Sequence, residues 1–334
     1  MSAALRLAAP VAFALGCTGG GGIVAVDGGA GGDARIAPDG AVADAALAVD
    51  AELAVDAAPG DDAGSTNDAG LALDAAAPTD AGEALSRCSE DEGRVVCPRN
   101  TTRLVAAGIG RDVHWQLPLG AAPEAGWPSV ILFQGSLFAA GFAWVGAPGA
   151  PFGAEHQAAL IRALLDAGFA VLTPEVRGEG STYWDTNVAP WNVAWDSSPD
   201  HALMRDLFAE MEAGRFGPLD LGRLYATGIS SGGYMTSRMA VSYRGRFRAL
   251  AIQSGSYATC AGAACVVPAL PEDHPPTLFL HGALDAIVPE ATMRPYARAL
   301  DELGVPNEVR VDPAVDHAWL PEAPARVTAF FRAH

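Results

Sequence analysis

Three residue types, at spacings that suit one another, carry the chemistry of this chain. Ser230 stands in Gly228-Ile229-Ser230-Ser231-Gly232, the G-x-S-x-G pattern that holds a serine exposed on a sharp turn between a strand and a helix. Asp285 lies downstream in His281-Gly282-Ala283-Leu284-Asp285-Ala286-Ile287-Val288-Pro289, and His317 in Val315-Asp316-His317-Ala318-Trp319. A serine hydroxyl is a poor nucleophile at neutral pH. It needs an imidazole within hydrogen-bond reach to take its proton, and a carboxylate to orient that imidazole. The chemistry would be attack on an acyl carbon through a covalent intermediate. With 38 glycines in the chain, the serine motif alone is weak. The acid and the base downstream, in that order, give it weight.

The tetrahedral intermediate of such a reaction needs donors for its oxyanion. One expected donor is the backbone N–H of Ser231, at the start of the helix after the nucleophile. The other is expected from Phe133-Gln134-Gly135-Ser136, with Ser136 assigned and Gly135 the alternative. Asp316 is a rival acid, although the side chain of a sequence neighbour usually points away from the histidine. Asp285 could instead cap a helix, His317 could be a surface histidine, and His281 reads as structural. Phe138, Trp184, Trp191 and Trp319 are candidate substrate contacts, with Leu137, Phe142, Trp144 and Trp195 near them in sequence. Any single one could pack as local core under a long loop. As a set they point to an apolar substrate. The mechanism calls for no metal and no cofactor.

These residues need a scaffold, and the pattern supplies one. Strands are expected at 112–117, 129–133, 169–172, 224–228, 249–253, 277–280 and 308–311. Helices are expected at 154–167, 202–213, 233–243, 293–303 and 324–333. An irregular aromatic segment covers about 177–199. Alternating strands and helices imply a mainly parallel sheet with helices on both faces. Ligands in such sheets sit beyond the carboxyl ends of the strands. Each candidate comes after a strand, and the order Ser, Asp, His is that of the α/β-hydrolase fold, which is the expected fold class.

Composition divides the 334 residues in two. Residues 1–17 read as an export signal: Arg6 gives a positive start, and 7–15 is an apolar stretch too short to span a bilayer. Ala14-Leu15-Gly16-Cys17 resembles a bacterial lipobox, which would make Cys17 a lipid anchor; an ordinary signal peptide with an incidental cysteine is the alternative. Residues 18–87 are rich in Ala, Gly and Asp, with 13 acidic side chains against two Arg. So few large apolar groups cannot offset the entropy of ordering, and a disordered linker is expected. Residues 88–334 are long enough for one α/β catalytic domain. The net charge is −18, there is no Lys, and no basic patch suits a phosphate backbone, so nucleic-acid binding is excluded. Cys88, Cys97, Cys260 and Cys265 suggest two disulfides in an exported chain. Local pairing is expected, among three possible connectivities.

The elbow with Gly233-Tyr234 and Ser237-Arg238-Met239-Ala240-Val241, the Phe133-Gln134-Gly135-Ser136 loop, and His281-Gly282 with Asp285 and Val288-Pro289 resemble the extracellular medium-chain-length polyhydroxyalkanoate depolymerases. The resemblance covers roughly 100–334. It implies a serine esterase that hydrolyses polyesters of 3-hydroxy fatty acids, with Ser230, Asp285 and His317 at the triad positions. The triad alone is shared with feruloyl, acetylxylan, cutinase-like and dienelactone hydrolases. The rival expectations are therefore a feruloyl or acetylxylan esterase, a peptidase of the same fold, or a surface binding module without activity.

Overall fold

The computed structural model describes residues 85–177, 183–258 and 267–334. Cys17, Cys260, Cys265, the signal peptide and nearly all of the linker lie outside the described residues. The expected linker ran to 87, yet Ser86 Oγ donates to Asp166 (2.7 Å) and the Arg87 guanidinium donates to the carbonyls of Leu117 and Pro118 (both 3.0 Å). Side chains anchored in this way belong with the domain.

The strands are β1 (Ser89–Asp91), β2 (Arg94–Val96), β3 (Asn100–Ala106), β4 (Ile109–Gln116), β5 (Trp127–Phe133), β6 (Val145–Gly146), β7 (Ala170–Pro174), β8 (Leu219–Ile229), β9 (Phe247–Gln253), β10 (Thr277–Gly282) and β11 (Asn307–Asp312). The helices are α1 (Ala154–Asp166), α2 (Pro199–Glu212), α3 (Ser231–Ser242), α4 (Arg294–Leu303) and α5 (Ala323–Ala333). Eight strands form one sheet in the order β11-β10-β9-β8-β5-β7-β4-β3. All neighbours from β7 to β11 pair in parallel, while β4 pairs antiparallel with both β7 and β3. This is the expected α/β-hydrolase arrangement. A small second sheet, β1-β2-β6, was not anticipated, because three- and two-residue strands carry no periodicity to read. A Cys88–Cys97 disulfide closes the β1–β2 hairpin.

The sheet is buried on both faces, so its central strands are apolar runs rather than alternating ones. Successive side chains still point to opposite sides. Val130 and Leu132 pack with α1 and α5 through Leu160, Leu164, Val327 and Phe331. Ile131 and Phe133 pack with α2 and α3 through Leu203, Leu207, Met235 and Met239. Helix α4 covers the β10 side of that second face, where Tyr296 and Leu300 meet Phe279 and Ile252. Two buried layers hold the sheet in place, and the described loops at its carboxyl edge are built on it.

Candidate active site

The site is built on the carboxyl ends of β5, β8, β9, β10 and β11. Ser230 directly follows β8 with φ 55 and ψ −121, outside the ordinary L-residue regions. Strain of this kind persists only when its surroundings hold it. Ser230 N–H donates to Gln253 O at the end of β9, and Ser230 O accepts from Tyr234 N–H in α3 (both 3.0 Å). Gly232 has no room for a Cβ, which would fall inside contact distance of Phe133 O. The glycine lets α3 begin directly against the end of β5, and it accounts for the motif in packing terms.

Asp285 lies in the loop after β10, and its two oxygens are committed. Oδ1 accepts from the N–H groups of Ile287 (3.0 Å) and Val288 (2.7 Å), and Oδ2 accepts from His317 Nδ1 (2.7 Å). Burial alone would raise this carboxyl. Hydrogen bonds from the two histidines, the charge of His317 and the Val288 N–H outweigh it and hold the group well below the usual carboxylate range. Of the two histidines His317 is the nearer partner. His281 Nε2 donates to Val288 O at 2.8 Å and lies 3.4 Å from Asp285 Oδ2, so His281 chiefly shapes the loop. Asp316 lends its backbone carbonyl to Ala318 N–H.

The loop carrying His317 is tied to the sheet by Gln253, which is fully buried. Gln253 Nε2 donates to Ala318 O (2.8 Å) and Leu280 O (3.2 Å), and its Oε1 accepts from Leu320 N–H (3.2 Å). The backbone of the same residue holds Ser230. Sequence reasoning did not single out Gln253. A buried amide at the end of a core strand was the available signal, but its partners lie 65 and 67 positions away.

Ser230 and His317 open into one cavity of about 170 Å³. Its walls include Ser136, Leu137, Phe138, Pro151, Phe152, Ile287 and Trp319, and His317 is the one titratable side chain among the lining residues. With Nδ1–H given to Asp285, the Nε2 lone pair of His317 is free to act as a base toward that cavity. The first-turn N–H groups of α3, Ser231 among them, lack partners within the helix, and Ser136 sits on the same wall. Gln134 braces the 134–138 loop by donating from its side chain to Phe138 O. Among the described residues no group of three or more His, Cys, Asp or Glu is gathered in a way that could hold a metal ion.

Of the expected substrate contacts, Phe138 and Trp319 line the cavity. Trp184 and Trp191 do not. Trp184 is fully buried; its backbone N–H donates to Ser231 Oγ (2.9 Å), its indole N–H donates to Gln134 O (3.1 Å), and its ring packs edge-on against Phe133. It braces the turn from behind, because an indole with a satisfied N–H is a good core filler. Trp191 is half-buried under the Arg177 guanidinium, 4.8 Å from the ring centre. Trp144 is fully buried as well. Phe152 and Ile287, absent from the expected set, take their place.

Residues 122–329 match the dienelactone hydrolase family, a span that includes every residue lining the cavity. The chain is 44% identical over 260 residues to a poly(3-hydroxyoctanoate) depolymerase of Pseudomonas fluorescens, covering 75% of this chain and 92% of that one. Among solved structures, a candidate dipeptidyl aminopeptidase IV of Bacteroides ovatus superposes with a TM-score of 0.50 at 13% identity, over 71% of this chain and 36% of that one. An acetyl xylan esterase of Paenibacillus sp. R4 gives 0.49 at 16% identity, over 75% and 88%. At 13% identity the likeness to the Bacteroides ovatus structure speaks for fold alone. The family match and the 44% relative speak for more, and on them the chain belongs to the dienelactone hydrolase family of α/β-hydrolases, as a serine ester hydrolase.

Proposed function

We propose that this chain hydrolyses polyesters of 3-hydroxy fatty acids through an acyl-enzyme on Ser230. The single observation that carries the reading is the cavity shared by Ser230 and His317, whose walls are mainly apolar, with Gln134, Ser136 and Gln157 as further polar side chains and no Asp, Glu, Lys or Arg. A sugar-linked ester would call for polar partners, since unpaired hydroxyls are costly to bury. An alkyl side chain calls for none. The name of the Pseudomonas fluorescens relative points the same way.

Ser230 Oγ attacks the ester carbonyl while His317 Nε2 takes its proton. The N–H groups of Ser231 and of Ser136 hold the oxyanion. The bond to the alcohol oxygen then breaks, and His317 returns the proton to that oxygen. Water attacks the acyl-enzyme in turn, gives its proton to His317, and the acid leaves as Ser230 regains its hydrogen. Asp285 keeps His317 in the right tautomer and stabilises the imidazolium. The test is clearing of suspended poly(3-hydroxyoctanoate), poly(3-hydroxybutyrate) and feruloylated xylan. The wild-type protein should clear the first fastest, and Ser230→Ala should be inactive with an unchanged circular dichroism spectrum. Turnover by Ser230→Ala would sink the mechanism, and preference for xylan would reassign the substrate.

We further propose that the protein is exported and anchored by lipid at Cys17. The signal-like first 17 residues support this, as does the Cys88–Cys97 disulfide, a bond that persists in oxidising compartments.

A further inference from the structure

Phe152 has an unusual backbone for an aromatic residue. It lies in a turn just before α1, with φ 57 and ψ 26, and Gly153 after it is also left-handed at φ 64. L-residues other than Asn, Asp and His seldom occupy that region, and bulky ones least of all. The turn is seated on the base loop: Trp319 N–H donates to Phe152 O at 2.9 Å. A Cβ at position 153 would lie 2.5 Å from Trp319 O, so the approach requires glycine. The conformation aims the Phe152 ring between two others. It stands edge-on to Phe138 (5.6 Å, 81°) and edge-on to His317 (6.0 Å, 83°). The ring lines the cavity while the residue stays 41% exposed, so core packing does not account for it.

We propose that Phe152 is a specificity-determining residue, the wall against which the alkyl side chain of the substrate packs beside the reacting carbonyl. This rests on ester hydrolysis at Ser230. A cavity of about 170 Å³ is close to the ~150 Å³ engineered cavity that binds benzene, so it has room for an alkyl group of about six carbons. An acetyl group leaves most of that space empty, whereas an octanoyl group brings its chain onto the ring. Phe152 therefore favours medium-length acyl groups.

The experiment compares kcat/KM on p-nitrophenyl acetate and p-nitrophenyl octanoate, whose leaving group is the same, for wild type, Phe152→Ala and Phe152→Leu. Thermal melts check that each variant is folded. The wild type should prefer octanoate. The octanoate-to-acetate ratio should fall about tenfold in Phe152→Ala, the low end of what one hydrophobic contact discriminates, and less in Phe152→Leu, which keeps an apolar wall. If Phe152→Ala does not fold, the fall in Phe152→Leu decides. An unchanged or raised ratio, including an equal loss on both esters, overturns the proposal while leaving ester hydrolysis intact. Failure of the wild type to cleave either ester overturns the reading beneath it.

Discussion

At the residue scale, the carboxyl of Asp285 carries the sharpest consequence. One oxygen is held by two backbone N–H groups and the other by His317 Nδ1, so the side chain has a single orientation. An amide at 285 would keep the shape, yet its NH₂ could face Nδ1 and reverse the histidine tautomer. Asp285→Asn should therefore lower kcat on a p-nitrophenyl ester by about 10⁴ with little change in KM. A loss under tenfold would show that another group orients His317. Ser230, Asp285 and His317 were legible as residues because their neighbours form compact motifs. Phe152 was not, because a Pro-Phe-Gly triplet before a helix looks like any helix entry. Only the contact with Trp319, far along the chain, gives the ring its place.

At the element scale, the ends of strands matter more than their interiors. The end of β9 binds both halves of the site: the Gln253 carbonyl holds Ser230 N–H, and the side chain holds the loop bearing His317. Gln253→Ala would leave Leu320 N–H unpaired and the loop free to shift. Each orphaned buried group costs about 1–3 kcal/mol, and a misplacement of about 1 Å in a catalytic group costs about 10²-fold in rate. The expected result is a kcat reduced toward that extent, a KM close to wild type and a lowered melting temperature. A lowered melting temperature with full kcat would limit Gln253 to stability. The aromatic segment after β7 was legible as irregular, but its role was not. Its residues are held from beneath: Arg238 of α3 reaches Thr186 O (3.1 Å) and Asn192 O (3.0 Å), Arg177 pairs with buried Asp185 (2.5 Å), and Asp185 N–H donates to Asp200 of α2 (2.6 Å), itself paired with Arg111 (2.5 Å). Buried charges of this kind need such partners. Trp184 is part of that support and so cannot face substrate.

At the scale of the whole molecule, two parts differ in composition. The domain folds because eight strands and the helices on both faces bury an apolar layer on each side of the sheet. The Ala, Gly and Asp segment before it has little to bury, and its acidity accounts for most of the net charge. Anchoring at Cys17 predicts incorporation of radiolabelled palmitate in a bacterial host, lost in Cys17→Ser. Labelling that survives the substitution would place the lipid elsewhere, and none in the wild type would leave the chain unanchored. By itself the sequence determined the α/β alternation, the order of Ser230, Asp285 and His317, and the end of the sheet they occupy. Strand periodicity and chain order are local properties. Which side chains face the cavity was decided only in three dimensions. Phe152, Ile287 and Trp319 meet there because strands distant in sequence are neighbours in the sheet, and Trp184 turns away because its indole N–H finds Gln134 O. Packing partners of that kind depend on strand order and loop shape, and no local pattern encodes them.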